Sequence, residues 1–264
     1  MHRLNRQIRF SINPFAPAQT GFNSYASKPC GSGLSFYLAL WVELTGKLDP
    51  DTGFVVNVSR IDQALRSRVV PLFDQTIRQA CTDRRPLSLA DLTALLRCAW
   101  PQVQSAFETL QLTKLTLELN PYRTIQLNAE DSDVLLFSEK FEFAAMHRLW
   151  NTQFDEATNT ELFGKCANPA GHGHNYVIEV TVEKPAGPEP QDWIARFEKV
   201  VEQSFLAIVD HKNLNVDVPQ FKVNPTVENL ASFAWNRLVG RFDPARLVRV
   251  TVWENDRTYC TYSP

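Results

Sequence analysis

The sequence predicts an α+β protein made of two similar halves in tandem, each with the element order β-β-α-α-β-β. The first observation is an internal repeat, because GSGLSFYLALWVE at 31–43 aligns without gaps with GHGHNYVIEVTVE at 171–183. The second is that three further segment pairs keep the same order along the chain: RFSINP with EFAAMH, the helix starts at Pro86 and Pro225, and KLTLELN with RVTVWEN. An ordered set of matches is typical of an internal duplication.

The strands and helices of each half follow from local patterns. Alternating polar and apolar residues predict strands, helical spacing of apolar residues predicts helices, and a proline suits the first helical turn. The first half has predicted strands around Phe10 and at 34–45, 113–119 and 123–128, and predicted helices at 59–81 and after Pro86. The second half has predicted strands around Phe143 and at 174–183, 247–254 and 257–262, and predicted helices at 192–209 and after Pro225.

The grouping of these elements predicts the architecture. Strands at both ends of each half, with helices between them, favour a four-stranded antiparallel sheet with two helices on one face. The polar stretch NAEDSDV at 128–134 lies between the last strand of one half and the first strand of the next. We therefore expect one domain at 1–130 and a second at 131–264.

Charge and composition narrow the class of function. The 264 residues include 27 Lys and Arg against 29 Asp and Glu, a net charge of −2, which argues against nucleic acid or an anionic membrane as a partner. No apolar run approaches the roughly 20 residues of a membrane span. The five cysteines form no Cys-X-X-Cys pair, which is typical of reduced thiols in a cytoplasmic protein. We expect a globular, cytoplasmic protein.

Histidines in the second half indicate a metal site. His172 and His174 are two residues apart, and this spacing on a strand directs both imidazoles to one face. On its own, such a pair more often belongs to an ordinary surface without a metal. His147 lies on the preceding predicted strand, and three histidines with an open fourth position are typical of a catalytic zinc site. The three histidines together therefore favour a metal.

Four other residues could carry chemistry. A free cysteine is usually a small buried residue, but Cys166 adjoins Lys165 and the predicted metal strand, and both would favour its thiolate. Asp210 and His211 directly follow an apolar helix, where they could form either a solvated turn or a working pair. Glu254 ends an apolar strand, either solvated or pointing inward towards a partner.

Five motifs, in order, give the second half a family resemblance. They are FEFAAMHRL, FGKCANPAGHGHNY, VDHKNLN, PTVENLA and VTVWEND, and they span about residues 135–262. On these motifs the second half resembles the 6-pyruvoyltetrahydropterin synthase family. The resemblance implies the tunnelling fold (T-fold), a small-molecule pterin substrate, a zinc cofactor, and barrels closed by oligomerisation with active sites at the seams between units.

The motifs also imply roles for individual residues. The residues at the family's zinc-ligand positions are His147, His172 and His174. Those at its catalytic positions are Cys166, Asp210 and His211. Those at its substrate-binding positions are Glu254, which would hold the amino-pyrimidine edge of the pterin, with Thr226 and Glu228 in the segment that lines the pocket.

Spacing within the motifs favours one branch of the family. Five residues separate Cys166 from His172, as in the biopterin-pathway members. The queuosine-pathway members resemble this chain less, because their gap is shorter. The expected function is therefore a zinc-dependent lyase that eliminates triphosphate from 7,8-dihydroneopterin triphosphate, with Arg148 and Lys212 as candidate triphosphate anchors. The alternatives are a 6-carboxytetrahydropterin synthase of the queuosine pathway and a non-catalytic pterin-binding T-fold protein.

The first half resembles the fold but lacks these chemical groups. Pro14, Ser32 and Leu34 stand at the positions of the three histidines, and Leu119 stands opposite Glu254. This half keeps the family's LDPDTGFVVNVSRID segment, which KPAGPEPQDW replaces in the second half. We therefore expect a degenerate, non-catalytic first repeat with an architectural role. We also expect a homo-oligomer of two-unit chains, either a trimer or a dimer or tetramer.

Overall fold

The chain divides into two compact units. The computed structural model describes residues 1–15 and 35–264. The first unit comprises Met1–Phe137 with Pro185–Glu189, and the second comprises Ser138–Lys184 with Pro190–Pro264. The predicted boundary after residue 130 falls at the start of strand β5 (Asp131–His147), whereas the two units divide inside that strand. Cys30, Ser32 and Leu34 lie outside the described residues.

The first unit is an antiparallel sheet with helices packed on it. Its elements are β1 (His2–Ile12), β2 (Phe36–Gly46), α1 (Val58–Ala64), a π-helical segment (Leu65–Val69), α2 (Val70–Thr82), α3 (Leu89–Gln104), β3 (Gln111–Asn120) and β4 (Arg123–Asn128). The strands are neighbours in the order β1-β2-β3-β4, each pair antiparallel. Helices α1 and α2 contact β1, and α3 contacts β3 and β4. Buried aliphatic side chains on alternate strand positions form the core between the two layers.

A compact turn joins β2 to α1 in the first unit. The Asp49 carboxylate accepts hydrogen bonds from the backbone amides of Asp51 (3.1 Å) and Thr52 (2.8 Å). Gly53 then adopts a φ of +71°, in the left-handed region that glycine tolerates without strain. Asn57 caps α1 by accepting a hydrogen bond from the amide of Ser59 at 2.9 Å. This turn is the LDPDTGFVVNVSRID segment noted in the sequence.

The second unit follows the same order with three additional short elements. Besides β5 it contains α4 (Glu156–Phe163), a 3₁₀ segment (Gly164–Ala167), β6 (His172–Pro185), α5 (Trp193–Val201), a π-helical segment (Glu202–Leu206), α6 (Ala207–Val209), β7 (Lys212–Asn213), α7 (Val227–Leu238), β8 (Arg246–Asn255) and β9 (Thr258–Tyr262). Its strands are neighbours in the order β5-β6-β8-β9, and β7 pairs with β5 in parallel. Helix α7 contacts β8 and β9.

An aromatic cluster fixes β5 and β6 beneath the helices of the second unit. Phe143 on β5 stacks on Tyr176 of β6 with ring centroids 5.0 Å apart, and its edge contacts Phe205 at 5.5 Å. All three side chains are buried. Large aromatic contacts of this kind dominate the energetics of a small core. The ends of β5 and β6, where the site residues lie, are therefore held on a rigid base.

Within residues 1–15 and 35–264, the structure confirms the predicted α+β class with an antiparallel sheet, together with the predicted strands and helices. Three elements were not predicted from the sequence: α4, the 3₁₀ segment and β7. Among the described residues, none of the helices has the length and apolar character required to cross a bilayer.

Candidate metal centre and active site

Three histidines of the second unit come together at the ends of two neighbouring strands. His147 is the last residue of β5, and His172 and His174 lie at the start of β6. One ring nitrogen from each lies within 4.8 Å of the others. The prediction that these strands are neighbours and that both β6 imidazoles share a face is confirmed. Within residues 1–15 and 35–264, this is the group with the geometry to hold a metal ion.

His147 is oriented for metal binding by a carbonyl behind it. Its side chain is 1% exposed, and its Nδ1 lies 2.6 Å from the backbone oxygen of Pro225. A carbonyl can only accept, so Nδ1 carries the proton and Nε2 directs a lone pair into the site. Burial lowers the pKa of His147 despite the Pro225 carbonyl, which favours the cation. The imidazole is therefore neutral at pH 7, as a metal ligand must be.

The remaining nitrogens of the cluster support the same interpretation. Nε2 of His147 lies 3.0 Å from Nε2 of His172, so the two rings face each other. Nδ1 of His172 and Nε2 of His174 are buried, and neither has a hydrogen-bond partner among the described residues. An unpaired buried nitrogen is costly, and a cation bound between the rings would satisfy Nε2 of His174. The cluster therefore fits a divalent metal that prefers imidazole, such as zinc.

A glycine allows β6 to approach β5 closely at the metal site. Gly171 has a φ of +69°. A Cβ at this position would lie 3.0 Å from the backbone oxygen of His147 and 3.0 Å from Cε of Met146. Any other residue would be strained and would displace the ligand-bearing end of β5. Gly171 therefore has a geometric reason to precede His172.

Cys166 lies on the 3₁₀ segment, within electrostatic range of Glu254, whose carboxylate borders the cluster. Its side chain is half-buried, and its backbone oxygen accepts a hydrogen bond from the amide of Leu149 at 2.8 Å. Burial raises the pKa of the thiol, and the charge of Glu254 raises it further. These two effects oppose the lowering that the sequence argument expected from Lys165. The thiol is placed near the site but is a stronger base than expected.

Asp210 and His211 form a pair tethered near the C-terminal end of β5. Oδ2 of Asp210 lies 2.9 Å from Nδ1 of His211, and Oδ1 accepts a hydrogen bond from the Ala144 amide at 2.9 Å. The His211 amide donates to the Ala144 oxygen at 2.6 Å, and His211 has a φ of +55°. Burial opposes ionisation of Asp210, but the bonds from Ala144 and His211 outweigh it and lower its pKa. The His211 ring is 81% exposed.

Across the part of the chain that the structure describes, no hydrogen bond joins this pair to the histidine cluster. The pair bonds the backbone of Ala144, which precedes His147 by three residues on β5, about 10 Å along a strand. Within the described residues, the ring of His211 makes its polar contact with Asp210. A groove of about 470 Å³ is lined by His174, His211 and Lys212 together with strand residues 144–146. The pair therefore lies at the rim of the site.

Glu254 points inward, as one of the two sequence interpretations proposed. Its side chain is 19% exposed, and one carboxylate oxygen lies 3.7 Å from Nε2 of His174. Burial lowers the pKa of His174, and the Glu254 charge opposes that shift. The carboxylate is thus beside the histidine cluster. The other two predicted substrate-binding residues lie at the start of α7. Thr226 caps this helix by accepting a hydrogen bond from the amide of Asn229 at 3.3 Å. Glu228 is exposed; burial raises the pKa of the Cys260 thiol, and the charge of Glu228 raises it further.

Tyr176 is a site residue that the sequence argument missed. It continues the alternation of His172 and His174 on the same face of β6, and that spacing was the available signal. Its side chain is 1% exposed, and its hydroxyl has no hydrogen-bond partner among the described residues. Burial raises the pKa of this phenol, and the nearby charges of Glu254 and Cys166 raise it further. The hydroxyl is therefore neutral and belongs to the same polar cluster.

Comparison with known proteins gives a consistent result. The family model described as "6-pyruvoyl tetrahydropterin synthase" matches residues 137–264. The chain is 38% identical to the human 6-pyruvoyl tetrahydrobiopterin synthase over 128 residues, which is 47% of this chain and 88% of that protein. It is 28% identical over 158 residues to the 6-carboxy-5,6,7,8-tetrahydropterin synthase of Aquifex aeolicus, covering 47% of this chain and 95% of that protein.

Solved structures also match about half of the chain, and one of them shows the degree of similarity. It is the 6-pyruvoyl tetrahydropterin synthase of Caenorhabditis elegans, with 34% identity and a TM-score of 0.46, covering 50% of this chain and 96% of that one. The identity to the human protein and the coverage of its length decide the assignment. The chain belongs to the 6-pyruvoyl tetrahydropterin synthase family.

Proposed function

We propose that the second unit is a zinc-dependent 6-pyruvoyltetrahydropterin synthase that eliminates triphosphate from 7,8-dihydroneopterin triphosphate. The observation that carries this proposal is the cluster of His147, His172 and His174, with Cys166 and Glu254 beside it. The cluster supplies metal ligands, a thiol and a carboxylate, which are the groups that a proton-moving elimination on a polyhydroxylated side chain requires. The identity of the relatives supports the pterin substrate.

The metal would be held by the three imidazoles described above. Zinc bound there acts as a Lewis acid, which makes protons on the side-chain hydroxyls and the adjacent carbon easier to remove. The chain's own contribution is to keep the ligands neutral and oriented. Burial does the first for His147 and His174, and the Pro225 carbonyl does the second for His147.

Glu254 would bind the pterin ring. A carboxylate can accept two parallel hydrogen bonds from the guanidine-like edge of an amino-pyrimidine, which fixes both position and orientation. Its place beside His174 at the end of β8 would put the ring next to the metal cluster and direct the substrate side chain towards it. Thr226 and Glu228, at the start of α7, would line the pocket.

Cys166 would be the general base, and Asp210 with His211 would move the second proton. Burial and Glu254 raise the pKa of the thiol, so its thiolate is a correspondingly strong acceptor for a carbon-bound proton. Asp210 fixes the His211 tautomer by accepting from Nδ1, which leaves Nε2 free to give or take a proton. The exposed ring can serve a substrate at the rim of a site.

The distance between the two catalytic parts supports an assembly with shared sites. The Asp210–His211 pair is tethered about 10 Å along β5 from His147 and is exposed, so a site on a neighbouring chain could use it. We infer that the chain is a homo-oligomer of tandem T-fold units, with a trimer favoured over a dimer or tetramer. Residues 1–130 would form the degenerate repeat that completes the barrel, and residues 131–264 the catalytic one.

Product analysis tests this function. The purified protein, loaded with zinc, is incubated with 7,8-dihydroneopterin triphosphate, and the pterin product and released triphosphate are identified by mass spectrometry. Formation of 6-pyruvoyltetrahydropterin with one equivalent of triphosphate supports the proposal. Formation of 6-carboxytetrahydropterin would assign the queuosine-pathway reaction instead. Tight substrate binding without any product would indicate a pterin-binding protein.

A further inference from the structure

Arg148 directly follows the predicted metal ligand His147, and its side chain turns back towards the catalytic thiol. Its Nε donates a hydrogen bond to the backbone oxygen of Ala167 at 3.0 Å. Ala167 is the last residue of the 3₁₀ segment that carries Cys166. The next residue, Leu149, donates its amide to the Cys166 oxygen at 2.8 Å. Two consecutive residues after β5 thus hold two consecutive carbonyls of the Cys166 segment.

The guanidinium that makes this contact is itself held in place. Its central carbon lies 3.8 Å from the centroid of the Trp150 ring, a close cation–π contact. This contact restricts the position of the guanidinium, from which Nε donates. The side chain of Arg148 is half-buried rather than extended into solvent.

The backbone of Arg148 is fixed as firmly as its side chain. The Asn215 side chain bridges it, because Oδ1 accepts from the Arg148 amide at 2.7 Å and Nδ2 donates to the Arg148 oxygen at 2.9 Å. The Trp150 amide donates to Oδ1 of Asn224 at 2.9 Å. Asn224 adjoins Pro225, whose carbonyl orients His147. One network therefore connects the metal ligand, Arg148 and the segment bearing the thiol.

We propose that Arg148 is a positioning residue, which sets the location of the Cys166 thiol relative to the metal cluster through its Nε–H bond to Ala167. This rests on the proposed function, in which Cys166 is the base. It differs from the sequence-based hypothesis that Arg148 anchors the triphosphate. In that hypothesis the positive charge matters, whereas in a positioning role the N–H donor at the ε position matters.

Three substitutions separate the donor from the charge. Arg148→Gln places an N–H donor the same number of bonds from the backbone as Nε but removes the charge. Arg148→Lys keeps the charge but moves the nitrogen one bond further out. Arg148→Met has similar length and neither property. Each variant is first checked for metal content and melting temperature, so that only folded, metallated protein is compared.

Two measurements then test the proposal. The first is the site-resolved rate of alkylation of Cys166 by iodoacetamide, a neutral reagent, with exposed Cys98 in the same sample as the reference. The second is kcat and KM for 7,8-dihydroneopterin triphosphate. We expect Arg148→Met to alkylate several-fold faster at Cys166 and to lose kcat towards 10²-fold, the cost of a displacement of about 1 Å, with KM little changed. Arg148→Gln should remain near wild type in both.

The opposite ranking of the three Arg148 variants would overturn the proposal. If Arg148→Lys stays active while Arg148→Gln and Arg148→Met lose activity equally through KM, the charge is what matters and Arg148 binds substrate. Equal Cys166 alkylation in all four proteins would likewise show that the bond does not position the segment. If the wild-type protein does not turn over the substrate, the proposed function fails, but the alkylation rates still decide the role of Arg148.

Discussion

The two units share a scaffold and differ at the ends of their strands. Both begin with an antiparallel pair, both interrupt the following helix with a π-helical segment, at Leu65–Val69 and at Glu202–Leu206, and both close with a second antiparallel pair. π-Helical segments often mark functional sites. Here one occurs in the unit without the histidines as well, so it belongs to the helix that packs on the sheet and not to the chemistry.

The difference between the units lies in a few side chains on an otherwise similar frame. In the second unit, β5 ends in His147 and β6 begins with His172 and His174. In the first unit, β1 ends at Ile12 and Pro14 follows, while Leu119 on β3 stands where β8 has Glu254. In both units the sheet brings the ends of neighbouring strands close together. Only the side chains at those ends determine whether the strands form a functional site.

Removing one histidine should have the largest effect. His172→Ala leaves two imidazoles, too few for a catalytic metal site, so bound metal and turnover should both fall towards zero. Metal analysis after dialysis should give a ratio near one per chain for the wild type. His2→Ala, on β1 of the first unit, is the matched control and should keep both. A wild-type ratio near two would show that the first unit also binds metal.

Removing the thiol should abolish catalysis while sparing the metal. Cys166→Ala should lower kcat by about 10²–10⁴-fold, the usual contribution of a general base, because the thiol is not among the three clustered ligands. Metal content and pterin affinity should stay near wild type. Cys81→Ala in the first unit is the control, since that cysteine lies on α2 away from any histidine cluster. Near-normal turnover of Cys166→Ala would assign the base role to another group.

A glycine substitution compares the two units directly. Gly171 and Gly53 have nearly the same φ, +69° and +71°, but a Cβ at Gly171 would contact the His147 oxygen, whereas a Cβ at Gly53 meets no described atom within 4 Å. Gly53→Ala should therefore cost only the left-handed strain of about 1–2 kcal/mol. Gly171→Ala should cost more and should also weaken metal binding. If the two variants lose the same free energy of unfolding and both keep wild-type metal affinity, the close approach of β5 and β6 at Gly171 is not required.

Periodicity accounts for what the sequence could predict. The alternation of β6 predicted the shared face of His172 and His174, and apolar spacing predicted the long helices. Helix α4 was not predicted because it has no apolar stripe. The residue that it buries is Asn159, whose amide nitrogen donates to the backbone oxygens of Asn151, Phe154 and Asp155. Strand β7, at two residues, is too short for any pattern.

Electrostatics was the part that the sequence could not provide. Lys165 is adjacent to Cys166 along the chain, yet the carboxylate of Glu254, far away in the sequence, is the charge that acts on the thiol. The tether between Asp210 and Ala144 was equally invisible, because it depends on β7 pairing with β5. Distances between side chains remote in sequence follow from the fold and not from local pattern.

The smallest predicted effect compares how the second long helix begins in each unit. In α3, the Asp91 carboxylate accepts a hydrogen bond from the Ser88 amide at 2.9 Å, and Oγ of Ser88 accepts one from the Asp91 amide at 3.1 Å, which together form a capping box. Asn229 of α7 holds the corresponding place without charge. Asp91→Asn should therefore lower the free energy of unfolding by about 1 kcal/mol at pH 7.

The pH dependence of that effect separates a charged cap from an uncharged one. The bond from the Ser88 amide lowers the pKa of Asp91. The Asp91 carboxylate therefore contributes fully to the free energy of unfolding above its pKa in the unfolded chain, about 3.9. This contribution is lost as the pH falls through its lower pKa in the folded protein. The difference in melting temperature between wild type and Asp91→Asn should shrink steadily below about pH 4. Asn229→Ala loses an uncharged hydrogen bond to the Asn224 oxygen, so its difference in melting temperature from wild type should stay constant over the same pH range. If this difference also shrinks below about pH 4, charge plays no part in either cap.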